Sequence, residues 1–356
     1  MADLGFIHSS SNHALFYYNE MNTAAIIVRI CCLIGWHVDD GMAVSNSRPF
    51  LQKVKQRITK QFGLKDLGPI AKYLRVQFEH DQQSCKIWMH QNEYIAFLLQ
   101  EYNLLDCNPI HLPADPKVPL GDPNSIYPEV PDIQSTYMKL IGELIYLLVN
   151  THPDIAYIIN ALAQHSSNPE PCHYAAGKCV LHYLAGTTHL KVQYTAESNN
   201  KDLHVYANAS WANKTGCQSI SRYVWYYAGG LISHISKKQT TVALLSTKAE
   251  YMAVTHIIQE GLWIHSLFKK LNIPFQSPMP IHLNNSVTIA LLVTAKFHQH
   301  TKHINICYHF IRFHINDGSF TLIWIPSHIN IADILTKALP CPTFNKLRIS
   351  LGLITL

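Results

Sequence analysis

The second half of the chain alternates short apolar strands with helices, and this order limits the folds that it can adopt. Residues 203–210 and 222–236 have strand character, and Gly229-Gly230 interrupts the second segment. Ser246 is positioned to cap a long helix. The remaining predicted elements are a strand at 280–283, helices at 286–294 and 301–314, a strand at 320–325 and a helix at 330–338. This β-β-α-β-α-β-α order predicts a mixed sheet with flanking helices, and therefore an α/β (α+β) fold.

The first half divides into two regions that a linker separates. Residues 24–45 predict two strands around a polar turn, 49–62 predict a helix, and 73–90 predict a hairpin before a helix at 91–103. Residues 106–133 are rich in Pro and Asp without hydrophobic periodicity, which is typical of a linker. Three further helices are predicted at 135–150, 153–166 and 170–185.

Composition excludes several classes of protein. With 356 residues, 48% of them hydrophobic, the chain can build two or three packed units, and disorder is excluded. The longest apolar run, 23–36, contains Arg29 and is shorter than the roughly 20 residues of a membrane-spanning helix. The N-terminus lacks the layout of a secretion signal, and the nine cysteines form no CxxC pair. We therefore expect an intracellular protein, cytoplasmic or nuclear, without a membrane partner.

Charged residues make up only 14% of the chain, whereas histidine is abundant at 22. The net charge of +5 is compatible with a nucleic-acid partner but does not require one. Scattered basic residues are equally typical of an ordinary solvated surface. The candidates for phosphate contacts are Lys237, Lys238, Lys302, Arg312 and Lys337.

Two sets of residues could bind divalent metal ions. Asp39 and Asp40 lie at the turn between two apolar strands, where paired carboxylates can hold such ions. The alternative is an Asp-rich hairpin turn without a function, which the dipeptide alone favours. The second set lies in the last region, where Glu250 and Asp333 are the acids on two predicted helices.

A third cluster raises the alternative of a zinc protein. Its residues are His298, His300, His303, Cys307, His309 and His314. His303 and Cys307 are four residues apart and could face one metal ion on a helix. No second ligand pair with a recognised spacing lies nearby, so surface histidines are the favoured interpretation.

Six segments of the chain carry a family resemblance through their order and sequence. They read WHVDDGMAV, FGLKDLGPIAKYLRVQF, QSTYMKLIGELIYLLVNTHPDIAY, SKKQTTVALLSTKAEYMAV, HTKHINICYHFIR and ADILTKALP. In this order they resemble the end of the Pol polyprotein of copia-type LTR retrotransposons. The first is similar to that family's YVDD reverse-transcriptase hairpin, and the fourth is similar to the SKKQxxVALSSTEAEYxAL segment of its RNase H domain.

The resemblance implies a division of the chain into four regions. Residues 1–105 correspond to the end of a reverse-transcriptase palm and its thumb, in truncated form, and 106–195 to a linker and helical connection. Residues 196–342 correspond to an RNase H-like mixed sheet with flanking helices, and 343–356 to a tail. The family copies RNA into DNA and cleaves RNA in RNA–DNA hybrids with Mg²⁺, so RNA–DNA hybrid or other nucleic acid is the expected partner, and a small-molecule substrate is not expected.

In the RNase H domain of this family, four acids hold two Mg²⁺ ions. Carried over residue by residue, they fall on Asn208, in YANASWA, on Glu250, on Asn284, in HLNNSVT, and on Asp333. Two carboxylates are therefore amides here, and only Glu250 and Asp333 remain as metal ligands. Amides bring no charge to hard divalent cations, so we expect a loss of activity on the order of 10³-fold or more.

We therefore predict a catalytically inactive fragment of a reverse transcriptase/RNase H. The alternatives are a nucleic-acid binding module without catalysis and a weakly active Mg²⁺-dependent RNase H. The polymerase remnant keeps Asp39 and Asp40, but the resemblance places a third acid upstream of the first residue of this chain. Arg75 also replaces a glycine in the hairpin that is expected to touch the primer end. Primer extension by this chain is not expected.

The replacements share one chemical direction, and each can arise from a single C-to-T or G-to-A change in the codon. Acids become amides or Lys, glycines become Arg, and arginines become His or Cys. The positions are Asn208, Asn284, Asn305, Lys248, Arg75, Arg222, His152, His300, Cys217 and Cys307. This pattern suggests a degenerate transposon copy that has undergone cytosine deamination.

Overall fold

The computed structural model describes residues 5–9, 12, 14–20, 30–117, 132–195, 202–210, 219–239, 246–293 and 302–355. Contacts between Cα atoms divide the chain into two compact units. The first contains residues 1–74 and 259–275, and the second contains residues 75–258 and 276–356. The boundaries that we predicted at residues 105, 195 and 342 stay predictions. In the described part of the chain, no helix is both long and apolar enough to cross a membrane.

The first unit is built on a four-stranded sheet in the order β1-β2-β3-β4. Its elements are β1 (Ile7–His8), β2 (Leu15–Glu20), β3 (Ile30–His37), β4 (Asp40–Ser45), α1 (Arg48–Phe62) and β5 (Lys72–Tyr73). The Ser47 hydroxyl accepts a hydrogen bond from the Phe50 amide and caps α1. Gly63, in the left-handed conformation at φ 68°, ends that helix. Cys32 and Ile34 of the sheet pack with Val54 of α1, which fixes the hairpin against the helix.

The second unit contains two sheets and most of the helices. Its strands are β6 (Val76–Asp81), β7 (Lys86–His90), β8 (Leu190–Thr195), β9 (His204–Ser210), β10 (Ile220–Tyr227), β11 (Gly230–Lys238), β12 (Met279–Leu283), β13 (Phe320–Trp324) and β14 (Leu353–Thr355). Its helices are α2 (Asn92–Glu101), α3 (Ile133–Asn150), α4 (Ala156–Ala163), α5 (Pro171–Gly186), α6 (Ser246–Leu271, which continues into the first unit), α7 (Ser286–Val293), α8 (Lys302–Asn316) and α9 (Cys341–Ser350). Short 3₁₀ segments lie at Pro153–Ile155, Ser327–Ile329 and Ile331–Leu335.

The mixed sheet has the strand order β11-β10-β9-β12-β13, which confirms the predicted α/β fold. Strands β9, β10 and β11 are antiparallel, whereas β12 runs parallel to both β9 and β13. The single strand predicted at 222–236 is wrong, because Ala228 (φ 50°) and Gly229 (φ 76°) form a tight turn between β10 and β11. The helix predicted at 330–338 is instead the 3₁₀ segment Ile331–Leu335.

The three helices predicted after the linker are confirmed, and they contribute to a large core of the second unit. Tyr137, Leu140 and Leu144 of α3 are fully buried, as are Val180 and Leu184 of α5. Burial of such a contiguous apolar cluster supplies the main favourable term for this unit.

The segment expected to be a tail contains the ordered elements α9 and β14. Phe344 and Leu347 of α9 are buried in the large core, and β14 pairs antiparallel with β8 through Leu353 and Val192. These elements are short, at 10 and 3 residues, so their local pattern is weak. Tertiary packing determines them.

Candidate functional site

The two strand positions of the predicted RNase H site lie side by side in the mixed sheet. Asn208 lies in β9, and Asn284 directly follows β12. These strands run parallel with Leu283 opposite Ala207, so the two asparagines meet at the same edge of the sheet. The structure therefore brings together the positions that the sequence assigned to neighbouring strand ends.

Asp333 accepts a hydrogen bond on each carboxylate oxygen. The side-chain amide of Asn208 donates to Oδ1 of Asp333. The Lys337 ammonium, four residues further along the chain, lies 3.1 Å from Oδ2. Asp333 itself is 6% exposed. The chain's own proton donors thus occupy the oxygens that a metal ion would need, and Lys337, which we had considered a phosphate contact, serves this carboxylate.

A buried asparagine that the sequence analysis did not single out holds the Asp333 segment against β9. The side-chain amide of Asn330 donates to the Ala207 carbonyl over 2.8 Å, and its Oδ1 accepts from the Ala332 amide over 3.1 Å. Asn330 is fully buried. The available sequence signal was an Asn at the first position of the helix predicted at 330–338, where capping residues are common.

Glu250 lies near the start of α6 and is 7% exposed. Burial raises the pKa of this carboxyl group to about 7, and a hydrogen bond with Asn285 opposes the shift only partly. The Oδ1 atom of Asn285 also caps α7 by accepting from the Thr288 amide over 3.0 Å. Asn284 turns its side-chain amide toward Ser327 Oγ, at 3.2 Å. Burial therefore disfavours the charged form of Glu250 in the metal-free chain.

These residues do not fit a pair of divalent cations. Among the described residues, Glu170, Cys172 and His173 form the group of three or more metal-ligating side chains that lie within 4.8 Å of one another, and no RNase H position belongs to it. That group is explained by a capping box at the start of α5, in which the Glu170 amide donates to His173 Nδ1 over 3.0 Å.

The predicted polymerase carboxylates lie at an exposed hairpin tip. His37 pairs with Asp40, so Val38 and Asp39 form a two-residue turn between β3 and β4. Both Asp39 and Asp40 are exposed and line a cleft of about 620 Å³ in the first unit. Burial raises the pKa of Tyr73, which also lines the cleft, and the nearby Asp40 charge adds to this shift.

Asp66 is the other acid that lines this cleft, but it has its own partners. Its Oδ1 atom lies 2.9 Å from Lys55 Nζ and accepts the Gly68 amide at 3.0 Å. These donors lower the pKa of the Asp66 carboxyl group, with the Gly68 amide as the largest cause. Asp66 therefore stabilises the loop that follows α1.

Arg75 lies at a backbone position that suits glycine. Its φ is +58°, in the left-handed region that L-residues disfavour. Its guanidinium lies over the Tyr94 ring, 5.5 Å from the centroid. The conformation agrees with the glycine that the family resemblance implies at this point.

The basic residues predicted to bind nucleic acid differ in their availability. Lys237 and Lys238 are exposed at the end of β11. Arg312 is half-buried, and its Nη1 donates to the Tyr308 hydroxyl over 2.7 Å. The side chain of Lys302 lies outside the described residues.

Half of the candidate zinc cluster lies outside the described part of the chain, namely His298, His300 and the side chain of His303. His309 packs edge-on against the Tyr308 ring, with the ring centroids 5.7 Å apart. His314 Nδ1 lies 3.2 Å from Asp317 Oδ2. The described residues Cys307, His309 and His314 form no group of three ligating side chains.

Comparison with known proteins identifies the family to which the chain belongs. Residues 1–116 match the family model described as reverse transcriptase (RNA-dependent DNA polymerase). The chain is 31% identical over 351 residues to the retrovirus-related Pol polyprotein from transposon RE1 of Arabidopsis thaliana, covering 98% of this chain and 23% of that protein. It is 30% identical over 308 residues to the Pol polyprotein from transposon TNT 1-94 of Nicotiana tabacum, covering 85% and 23%. The chain belongs to the copia-type retrovirus-related Pol polyproteins.

The chain spans about a quarter of the length of these Pol polyproteins. Among solved structures, it is similar to the N-terminal RNase H domain of rv2228c from Mycobacterium tuberculosis. That similarity has 10% sequence identity and a TM-score of 0.29, and it covers 42% of this chain and 99% of that one.

Proposed function

We propose that this chain is a reverse transcriptase/RNase H fragment whose RNase H-like site binds no catalytic metal and cleaves no RNA, and that it retains nucleic-acid binding. The observation that carries the proposal is the hydrogen bond from Asn208 to Asp333, together with the Lys337 ammonium on the other carboxylate oxygen. The alternative of a weakly active Mg²⁺-dependent RNase H becomes an outcome of the test.

The loss of cleavage follows from the charge of the site. Hydrolysis with two metal ions requires carboxylates that hold both cations close to the scissile phosphate. Here the amide nitrogen of Asn208 faces Asp333, so this side chain acts as a proton donor where the family has a metal ligand. We expect activity at least about 10³-fold below that of a four-carboxylate site.

Nucleic-acid binding is proposed on charge and exposure. The chain carries a net charge of +5, and Lys237 and Lys238 extend freely from the end of β11. Phosphate contacts of this kind give binding that weakens steeply as salt rises. Lys337 is excluded from this surface because it neutralises Asp333.

We infer in addition that the chain does not extend primers. In the family, the polymerase site uses a third carboxylate besides the two of the hairpin. Asp66 is the further acid at the cleft, and its hydrogen bonds to Lys55 and Gly68 oppose such a role. Asp39 and Asp40 would therefore have to bind a metal ion as two exposed carboxylates without a third.

One experiment separates these possibilities. The full chain is incubated with a labelled RNA–DNA hybrid in Mg²⁺ or Mn²⁺, and cleavage and binding are measured over a range of salt concentrations. We expect salt-dependent binding and no cleavage above the buffer background. Metal-dependent cleavage that Glu250→Ala abolishes would identify a working RNase H, and absence of binding would refute the retained interaction.

The binding surface has a matched control. Lys237→Gln/Lys238→Gln removes two exposed charges from β11, and Lys53→Gln/Lys60→Gln removes two exposed charges from α1. The first double variant should weaken hybrid binding several-fold and reduce its salt dependence, whereas the second should change it less. Equal effects would mean that binding depends on net charge alone.

A further inference from the structure

A buried arginine projects from the sheet face that carries Asn208. Arg222 in β10 pairs with Asn208 in β9 on one side and with Ser236 in β11 on the other. Directly opposed residues of antiparallel strands point to the same face, with Cβ atoms about 4.5–5.5 Å apart. Arg222 is 1% exposed. A permanent positive charge is therefore enclosed next to the RNase H position Asn208.

The surroundings of Arg222 compensate for this charge. Its Nε donates to Ser236 Oγ over 3.2 Å. Burial lowers the pKa of the guanidinium to about 10, while the nearby Tyr157 and Asp333 oppose that shift. Arg222 therefore stays charged at neutral pH. A buried cation is strongly destabilising unless a counter-charge lies close to it, and Asp333 is an acid that supplies one.

Asp333 thus faces two cations that belong to the chain. Lys337 binds its Oδ2 directly, and Arg222 lies close enough for the Asp333 charge to act on it. A divalent ion at this carboxylate would have to displace Lys337 and would still meet the guanidinium, which cannot leave its buried position. Two like charges in a poorly solvated environment repel strongly.

Building on the proposed function, we propose that Arg222 is a resident cation that takes the place of metal at this site and blocks its return. Asn208 and Asn284 then account for only part of the loss of metal binding. If a carboxylate is restored at position 208, it will pair with Arg222 across the strands and remain unavailable to a metal ion. Removing the guanidinium is needed as well.

The test compares three variants by calorimetric titration with Mn²⁺ alone. Asn208→Asp/Asn284→Asp should bind Mn²⁺ no more tightly than the unaltered chain, because the new carboxylate at position 208 pairs with Arg222. Adding Arg222→Gln should tighten Mn²⁺ binding at least tenfold. Adding Arg57→Gln instead removes an exposed guanidinium from α1 and is the matched control, for which no gain is expected.

Two results would overturn the role of Arg222. One is Mn²⁺ binding by the double variant as tight as that of the triple variant with Arg222→Gln. The other is a triple variant without any gain. If the unaltered chain binds Mn²⁺ and Asp333→Asn abolishes that binding, the proposed function is refuted. The ratio of Mn²⁺ affinities between the double variant and the triple variant with Arg222→Gln would still test the role of Arg222.

A thermal measurement keeps the proposal testable if the triple variant folds poorly. In the unaltered chain, Asp333→Asn leaves Arg222 without that counter-charge and should lower the Tm clearly. In an Arg222→Gln background the same substitution should lower the Tm by less. Equal shifts in the two backgrounds would show that the residues are not coupled.

Discussion

The hairpin at Asp39 and Asp40 and the sheet site at Asn208 and Asp333 differ in what they retain. The hairpin has two carboxylates, and both are exposed at its tip. The sheet site has amides at two of its four predicted positions, whereas Asp333 and the neighbouring Asn330 are buried and hydrogen-bonded. A motif can therefore persist without the surroundings that its chemistry needs, and a site can lose its chemistry while its polar network still supports the fold.

The largest expected effect tests whether the sheet site is structural. Asn330→Ala removes hydrogen bonds to Ala207 and Ala332 in a fully buried position. It should lower the free energy of unfolding by about 3 kcal/mol. The measurement is urea denaturation, and Asn284→Ala is the control because Asn284 makes one long hydrogen bond to Ser327. A control loss as large as that of Asn330→Ala would contradict this view of the network.

The next prediction uses pH to test the same sheet. Burial lowers the pKa of His234 in β11 to about 4, although its hydrogen bond to the Leu148 backbone opposes the shift. The unfolded chain binds this proton near pH 6.5, so stability is complete above pH 6.5 and falls as the pH drops toward 4. His234→Gln should remove roughly 2–3 kcal/mol of this acid sensitivity.

The measurement is the urea midpoint of His234→Gln and of the unaltered chain at several pH values. His189→Gln, an exposed position in the same unit, controls for the substitution itself. A difference between His234→Gln and the unaltered chain that stays constant from pH 7 to 4 would contradict the prediction.

A smaller effect tests the packing of the hairpin. A Cβ at Gly41 would lie 2.7 Å from Cζ3 of Trp36, whereas a Cβ at Gly35 would meet nothing within 4 Å. The Trp36 indole donates to the Val38 carbonyl over 2.9 Å, which restrains the ring. Gly41→Ala should therefore lower the free energy of unfolding by about 1–2 kcal/mol, and Gly35→Ala should leave it nearly unchanged. Similar values for both would show that the ring moves freely.

The smallest effect concerns Arg75 at φ +58°. Glycine adopts this conformation without strain, whereas alanine retains the strain, and both variants lose the contact with the Tyr94 ring. Arg75→Gly should therefore be more stable than Arg75→Ala by about 1 kcal/mol in thermal or urea denaturation. An alanine variant at least as stable as the glycine variant would refute strain at this position.

Much of the fold could be predicted because its signals are local. The helix at Arg48–Phe62 follows from the spacing of Leu51, Val54 and Ile58 on one face, and the hairpin tip follows from the polar turn between apolar strands. The β10–β11 turn was missed because Ala228 has a positive φ, and an alanine in the sequence gives no signal for that conformation. The role of α9 and β14 was missed because short segments depend on distant partners.

The sequence by itself determined the family and most of the order of strands and helices, and it predicted four positions for an RNase H site. Only the tertiary structure decided what those positions do. Asn208 and Asp333 are 125 residues apart, and Asn330 and Ala207 are 123 apart, so their hydrogen bonds depend on sheet order and on the 3₁₀ segment. In the sequence, Arg222 is one of 28 Lys and Arg residues. The fold buries it next to Asn208, and the free energy of a buried charge depends on the groups that surround it.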